Sequence, residues 1–188
     1  EWTKSFASPV GYDESYTVFQ NKDKSFTLSG YTYNPSQGFV VINTDSLGNL
    51  QWSKKYTNGI FMTSNIGKGQ RTHDNGIILT SNINTYLWGN KDIVLMKLDS
   101  LGNINWTKKY GGNDFDEGVW VNCNEDGSYI LTAYTQSFNF NTIHALIFKT
   151  DSNGEMLWNK VWGEGISNNP HEIIEIKNEG YAMAGSVF

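Results

Sequence analysis

Three apolar runs stand out in an otherwise polar chain: Phe39 to Ile42, Ile93 to Met96 and Ala145 to Phe148. Four consecutive apolar residues do not alternate, so they predict strands covered on both faces, as in stacked sheets. Each run sits in a fixed order of patterns. Ahead of the last lies a weakly alternating segment (Val119, Val121, Cys123), a turn at Glu125-Asp126-Gly127 and a second strand over Tyr129 to Ala133. Behind each run comes Asp-Ser-x-Gly and a strand carrying Trp. Nowhere does the chain show the long 3.6-residue periodicity of an amphipathic helix. The pattern therefore predicts units of four short strands.

The units repeat in sequence as well as in pattern. Residues 44–52 read TDSLGNLQW, 98–106 read LDSLGNINW and 150–158 read TDSNGEMLW. Trp-x-Lys-x-aromatic occurs four times: Trp2-Lys4-Phe6, Trp52-Lys54-Tyr56, Trp106-Lys108-Tyr110 and Trp158-Lys160-Trp162. Residues 13–32 match 116–135 without a gap, and DNGIILT at 74–80 matches DGSYILT at 126–132. A side chain such as Asp45, Asp99 or Asp151 can bond local backbone amides, and Gly48, Gly102 and Gly154 can supply the positive φ a tight hairpin needs. In the strand that follows, Trp, Lys and the aromatic share one face because the period is two. The Lys stem can lie across aromatic surface there. Trp52, Trp106 and Trp158 are read as residues that dock one unit on the next.

Four-stranded units of about 50 residues in tandem predict an all-β fold, a β-propeller of about four blades. A small sheet with two apolar faces is unstable alone, and stacking around an axis covers both. The repeat is too long for a solenoid rung and too regular for a sandwich. The whole chain, 1–188, reads as one repeat region with units at about 1–50, 51–104, 105–156 and 157–188, the last incomplete. Counting strands predicts part of a larger propeller, with a compact four-bladed or open arrangement as the alternative.

Composition narrows the function classes. The net charge is −5 and Arg71 is the single arginine, so no basic stripe suggests nucleic acid as a partner. Cys123 stands alone, which excludes an intrachain disulfide framework and a cysteine-based zinc site, and it is read as a small buried residue. No apolar run approaches the ~18 residues of a membrane-spanning helix. No secretory leader is visible, and the start at Glu1-Trp2 reads as that of a mature or excised product.

Candidate chemistry lies where the copies disagree. The second unit reads NIGKGQRTHDNG over 65–76, where the first and third place an apolar-rich strand. Lys68 and Arg71, with Gln70 and His73, would suit a small anion or polar ligand, against a plain polar edge. The loops 82–91 and 134–142 are rich in Asn and aromatics. Tyr86, Trp88, Phe138 and Phe140 there could stack on sugar rings or anchor a protein. The pairs Asp13-Glu14 and Asp116-Glu117 recur in register, which reads as structural turns rather than acid–base chemistry. His73, His144 and His171 lack metal spacing. No catalytic residue, metal site or cofactor is assigned.

The Asp turn, the Gly and the Trp four residues later resemble the tryptophan-docking repeat of quinoprotein-type propellers. The Asp-to-Gly step is three here and four in that pattern. Sialidase Asp-boxes are a looser match. The whole repeat is similar to propeller repeats of surface and secreted proteins of Bacteroidota, which combine DxxGNxxWxKxYGG with a DGGY-like hairpin. Residues 99–112, DSLGNINWTKKYGG, carry that resemblance most closely. It implies secretion or cell-surface placement and, as partners, other proteins of a surface or outer-membrane assembly. The expectation is a non-catalytic module for protein–protein or surface-complex assembly. Glycan binding is the alternative, followed by a share in a propeller enzyme whose site lies outside this chain.

Overall fold

Why these segments form strands is visible in their composition. β-branched and aromatic residues dominate the runs, and the connections at one end are three-residue loops closed by a residue at positive φ. A computed structural model describes residues 2–6, 12–33, 38–57, 68–84, 90–137, 142–163, 168–177 and 179–187. Among these residues fourteen strands form four antiparallel sheets. The first sheet holds β1 (Asp13–Gln20), β2 (Phe26–Thr32), β3 (Gly38–Thr44) and β4 (Leu50–Tyr56) in chain order. The second holds β5 (Lys68–Arg71), β6 (Ile77–Asn84), β7 (Lys91–Leu98) and β8 (Ile104–Tyr110). The third holds β9 (Asp116–Cys123), β10 (Tyr129–Thr135), β11 (His144–Thr150) and β12 (Met156–Trp162). The fourth has β13 (Asn168–Ile176) and β14 (Gly180–Val187). Among the described residues there is no helix.

Successive sheets pack face to face. Phe39, Val41 and Tyr56 of the first sheet meet Ile77, Leu79, Val94, Met96 and Leu98 of the second. The opposite face of the second sheet presents Ile78, Ile93 and Leu95 to Val121, Leu131, Leu146 and Phe148 of the third. Alternate residues of β7 thus serve two different cores, which is why its sequence is continuously apolar. Ile93 and Leu95 are fully buried toward one side, Met96 and Leu98 toward the other. Each such side chain stabilises the stack by about 1.5–3 kcal/mol.

The two ends of the sheets differ. The β1–β2, β3–β4, β5–β6, β7–β8, β9–β10 and β11–β12 turns lie at one end and share one pair of backbone bonds, such as Asp99 N–H to Asn103 O and Gly102 N–H to Asp99 O. The strand ends that lead on to the next unit, and those where the second strand leads to the third, lie at the other end. A register shift precedes the third-to-fourth-strand turn in each complete sheet, at Asn43/Thr44, Lys97/Leu98 and Lys149/Thr150. Such bulges raise the local twist.

Asp13-Glu14 and Asp116-Glu117 open strands β1 and β9 rather than forming turns. Cys123 is half-buried at the end of β9, less enclosed than its residue type suggests.

Candidate functional site

The feature that recurs with most polar detail is the meeting of each Trp strand with the following unit's Asp turn. Asp99 Oδ1 accepts from the amides of Leu101 and Asn103 at 2.9 and 2.8 Å, and its Oδ2 accepts from Asn103 Nδ2 at 2.7 Å. The Asn103 side-chain bond, then the Asn103 amide, hold this carboxyl below its ordinary range. Asp45 and Asp151 accept the same two amides. The turn leaves Gly102 at φ +73°, with Gly48 at +76° and Gly154 at +80°.

On those glycines lie tryptophans of the preceding units. A Cβ at Gly48 would stand 2.5 Å from the Trp2 ring, at Gly102 2.8 Å from Trp52, and at Gly154 2.9 Å from Trp106. The absent side chain makes room for the indole. Two residues on, Lys54 Nζ donates to Asn103 Oδ1 at 2.6 Å, and Lys108 Nζ pairs with Glu155 Oε1 at 2.6 Å. Two further on, Tyr56 and Tyr110 donate their hydroxyls to the carbonyls of Gly102 and Gly154 at 2.7 and 2.6 Å. Ring, ammonium and phenol each take one atom group of the same turn. Burial is the main cause raising both phenols well above their ordinary range.

The fourth copy differs. Trp158 is 38% exposed and Trp162 is 56% exposed, whereas Tyr56, at the Trp162 position of its own repeat, is 9% exposed. Trp158 does meet Tyr181, ring to ring at 5.8 Å. Trp106–Tyr129 at 6.1 Å and Trp2–Phe26 at 5.7 Å are the same contact in other units. A cleft of about 360 Å³ runs between Ile147, Trp158, Lys160 and Trp162 on one side and Ile173, Tyr181 and Met183 on the other. Sequence reasoning misses Tyr181, although Phe26, Tyr129 and Tyr181 recur in register at the start of the second strand.

The polar β5 residues face their neighbours. Gln70 Oε1 accepts the Cys123 amide at 2.7 Å, and a ring nitrogen of His73 lies 2.8 Å from Asn124 O. Lys68 Nζ stands 5.0 Å above the Trp120 ring, and Arg71 donates to Asn75 Oδ1 at 2.8 Å. These contacts tie β5 to β9 and to its own turn. Lys68 and Arg71 are therefore near one another in sequence but engaged in different directions. Tyr86, Trp88, Phe138 and Phe140 lie outside the described residues.

The carboxylates are held by the scaffold. Asp116 is buried and accepts the Gly112 amide at 2.8 Å and the Ser137 hydroxyl at 2.7 Å. Asp92 pairs with Lys109 at 2.7 Å and Glu117 with Lys91 at 3.0 Å. Lys97, 4% exposed, reaches Asp74 at 2.8 Å, and Lys149 reaches Asp126 at 3.1 Å. Among the described residues no group of three His, Cys, Asp or Glu side chains could hold a metal ion. Among them, too, no helix is long and apolar enough to cross a membrane.

No family model matches the chain, nor does any curated protein. Among solved structures, a crystal structure of an endo-1,4-beta-xylanase from Bacteroides thetaiotaomicron VPI-5482 aligns at 14% identity with a TM-score of 0.44. The alignment covers 86% of this chain and 62% of that one. A likeness of that size bears on neither fold family nor activity.

Proposed function

We propose that the chain is a non-catalytic β-propeller module of an exported bacterial protein, acting in protein–protein or surface-complex assembly. The observation that carries this reading is the stacked array itself, in which apolar residues are buried between sheets and the polar side chains of each Trp strand are tied into the next unit's turn. Sheets stacked through both faces support the blade reading, because each unit buries its apolar residues only against neighbours. Carboxylates tied into amides and lysines support a scaffold role over an acid–base one. Export and surface placement come from the resemblance of the DxxGNxxWxKxYGG repeat.

Affinity capture from the envelope of the source cells, read by mass spectrometry, tests the reading. The expected result is a discrete protein partner in near-stoichiometric amount. Recovery of the free chain alone would overturn it.

A further inference from the structure

The three Asp turns that receive a tryptophan differ at one place. The residue before the glycine is Leu47 in the first, Leu101 in the second and Asn153 in the third. The third therefore sets a carboxamide beside a glycine nitrogen. That pairing is reactive, because glycine has no side chain to hinder ring closure between the Asn Cγ and the next nitrogen. Asn153 is exposed. Its carboxamide is bonded to the Asp151 carboxylate, which also accepts the Asn153 and Glu155 amides at 2.8 Å each. The side chain is thus folded back over the turn that holds the Gly154 nitrogen.

That nitrogen is guarded. Gly154 is buried, and its amide donates to Asp151 O at 3.2 Å. The Trp106 ring lies against it, and Tyr110 donates to the Gly154 carbonyl at 2.6 Å. Attack on Asn153 needs the nitrogen released and reached by solvent, hence an opening of this latch between the second and third sheets. The pair Asn75-Gly76 is held differently. Gly76 N–H donates to the Asp74 carboxylate at 3.1 Å, and Asn75 Oδ1 accepts from Arg71 at 2.8 Å. A nitrogen bonded to a carboxylate resists losing its proton. Gly76 also packs on Lys97 and Leu98 rather than on an indole.

We infer that Asn153-Gly154 is a self-modification site gated by the Trp106–Tyr110 latch, and that its product keeps the latch from closing again. Hydroxide takes the Gly154 amide proton, and the nitrogen attacks Asn153 Cγ. The Cγ–Nδ2 bond breaks and ammonia leaves, protonated by water, giving a succinimide. Water then opens the ring at one of its two C–N bonds. Cleavage at Cγ leaves an ordinary aspartate. Cleavage at the main-chain carbonyl carbon routes the chain through Cβ and Cγ, as isoaspartate with a free α-carboxylate. Isoaspartate inserts a methylene into the turn just before Gly154. The turn has no slack for it, because a carbon added at Gly154 falls 2.8 Å from the Lys108 stem and 2.9 Å from the Trp106 ring. The new carboxylate also crowds Asp151 and Glu155, and the nearby Lys108 is already paired with Glu155. Each opening adds to the converted fraction, so this one bond records how long the second and third sheets have spent apart.

The 188-residue chain is aged in mildly alkaline buffer without denaturant. Asn153 and Asn75 are followed by peptide mass spectrometry with electron-transfer fragmentation, which separates aspartate from isoaspartate. Asn153 should convert at least about tenfold faster than Asn75, whose neighbouring amide is bound to a carboxylate. Tyr110→Phe should speed conversion at Asn153 about three- to tenfold, by removing one bond of the latch. Tyr56→Phe removes the equivalent bond at Gly102 and should leave the rate at Asn153 unchanged. Asn153→Leu, the residue type of the other two turns, should give no product at this position. After ageing, hydrogen exchange in Ile104–Tyr110 should be faster in the parent than in the Asn153→Leu chain. Conversion at Asn153 no faster than at Asn75 overturns the site. Equal acceleration by Tyr56→Phe and Tyr110→Phe means conversion through global unfolding and overturns the gate. Isoaspartate at position 153 with unchanged exchange in Ile104–Tyr110 overturns the block on closing.

Discussion

The ring of Trp52 lies over Gly102, in the next sheet, with no room for a methyl group between them. A Cβ there would stand 2.8 Å from the ring on a backbone already at φ +73°. Both effects oppose any side chain at this position.

Gly102→Ala is expected to destabilise the chain by about 2–4 kcal/mol, combining left-handed strain with overpacking. Gly127 separates the two effects. It has φ +80°, and no neighbouring atom lies within 4 Å of where a methyl carbon would sit, so Gly127→Ala should lose only about 1–2 kcal/mol. Urea denaturation of both variants measures the ring contact as the difference. Equal losses would show that the indole yields.

Tyr56→Phe and Tyr110→Phe each remove a buried hydroxyl from a glycine carbonyl and should lose about 1 kcal/mol. Burial raises both phenols in the folded chain. Their contribution is therefore full below the unfolded value of about 10 and is lost as pH rises above it. Alkaline denaturation followed by circular dichroism should fall less steeply in the double variant than in the parent.

At the acid end the pairs Lys97–Asp74 and Lys149–Asp126 dominate. Burial pushes the Asp74 carboxyl up, but the Lys97 ammonium, the Thr72 hydroxyl and the Gly76 amide outweigh it and bring it down to about 2. The Ser128 hydroxyl leads in bringing Asp126 down to about 2, helped by Lys149 and opposed by burial. Both carboxyls lie lower folded than the unfolded value of about 3.9, so their stabilisation is present above about pH 4 and lost as pH falls toward 2. Asp74→Asn with Asp126→Asn should flatten the urea midpoint over that window. Asp74→Ala should lose about 1–3 kcal/mol at neutral pH, because the buried Lys97 ammonium then keeps, among the described residues, only Leu98 O.

Lys24 holds φ +69° at the turn position where Gly127 sits in the third unit. Its side chain is exposed. Lys24→Gly is expected to stabilise by about 0.5–1 kcal/mol, seen as a higher thermal midpoint. A lower midpoint would mean that chain entropy in the unfolded state outweighs the strain.

The strands are legible in the sequence because each obeys a local rule. Phe39–Ile42, Ile93–Met96 and Ala145–Phe148 fall inside β3, β7 and β11, and the Glu125-Asp126-Gly127 turn joins β9 to β10. Partners across sheets are not legible, because period two says which face a residue takes and not which backbone group lies opposite. Gln70 and His73 bond main-chain groups of Cys123 and Asn124, in another sheet, and no pattern in 65–76 points there. Lys97 escapes a reading by pattern because the apolar run beside it ends at Met96. A signal exists: Asp74 to Lys97 and Asp126 to Lys149 are both 23 residues apart. Asp116 reads as a turn residue because Asp116-Glu117 recurs in register with Asp13-Glu14, whereas its carboxylate is buried under the Gly111-Gly112 link.

The pairing of Trp2, Trp52 and Trp106 with turns some 50 residues downstream gives the chain a direction in time as well as in space. As the polypeptide leaves the ribosome, each of these three residues emerges before the glycine that covers it. Each sheet therefore waits, partly unlatched, for its successor, and assembly advances as a zipper closed from the rear.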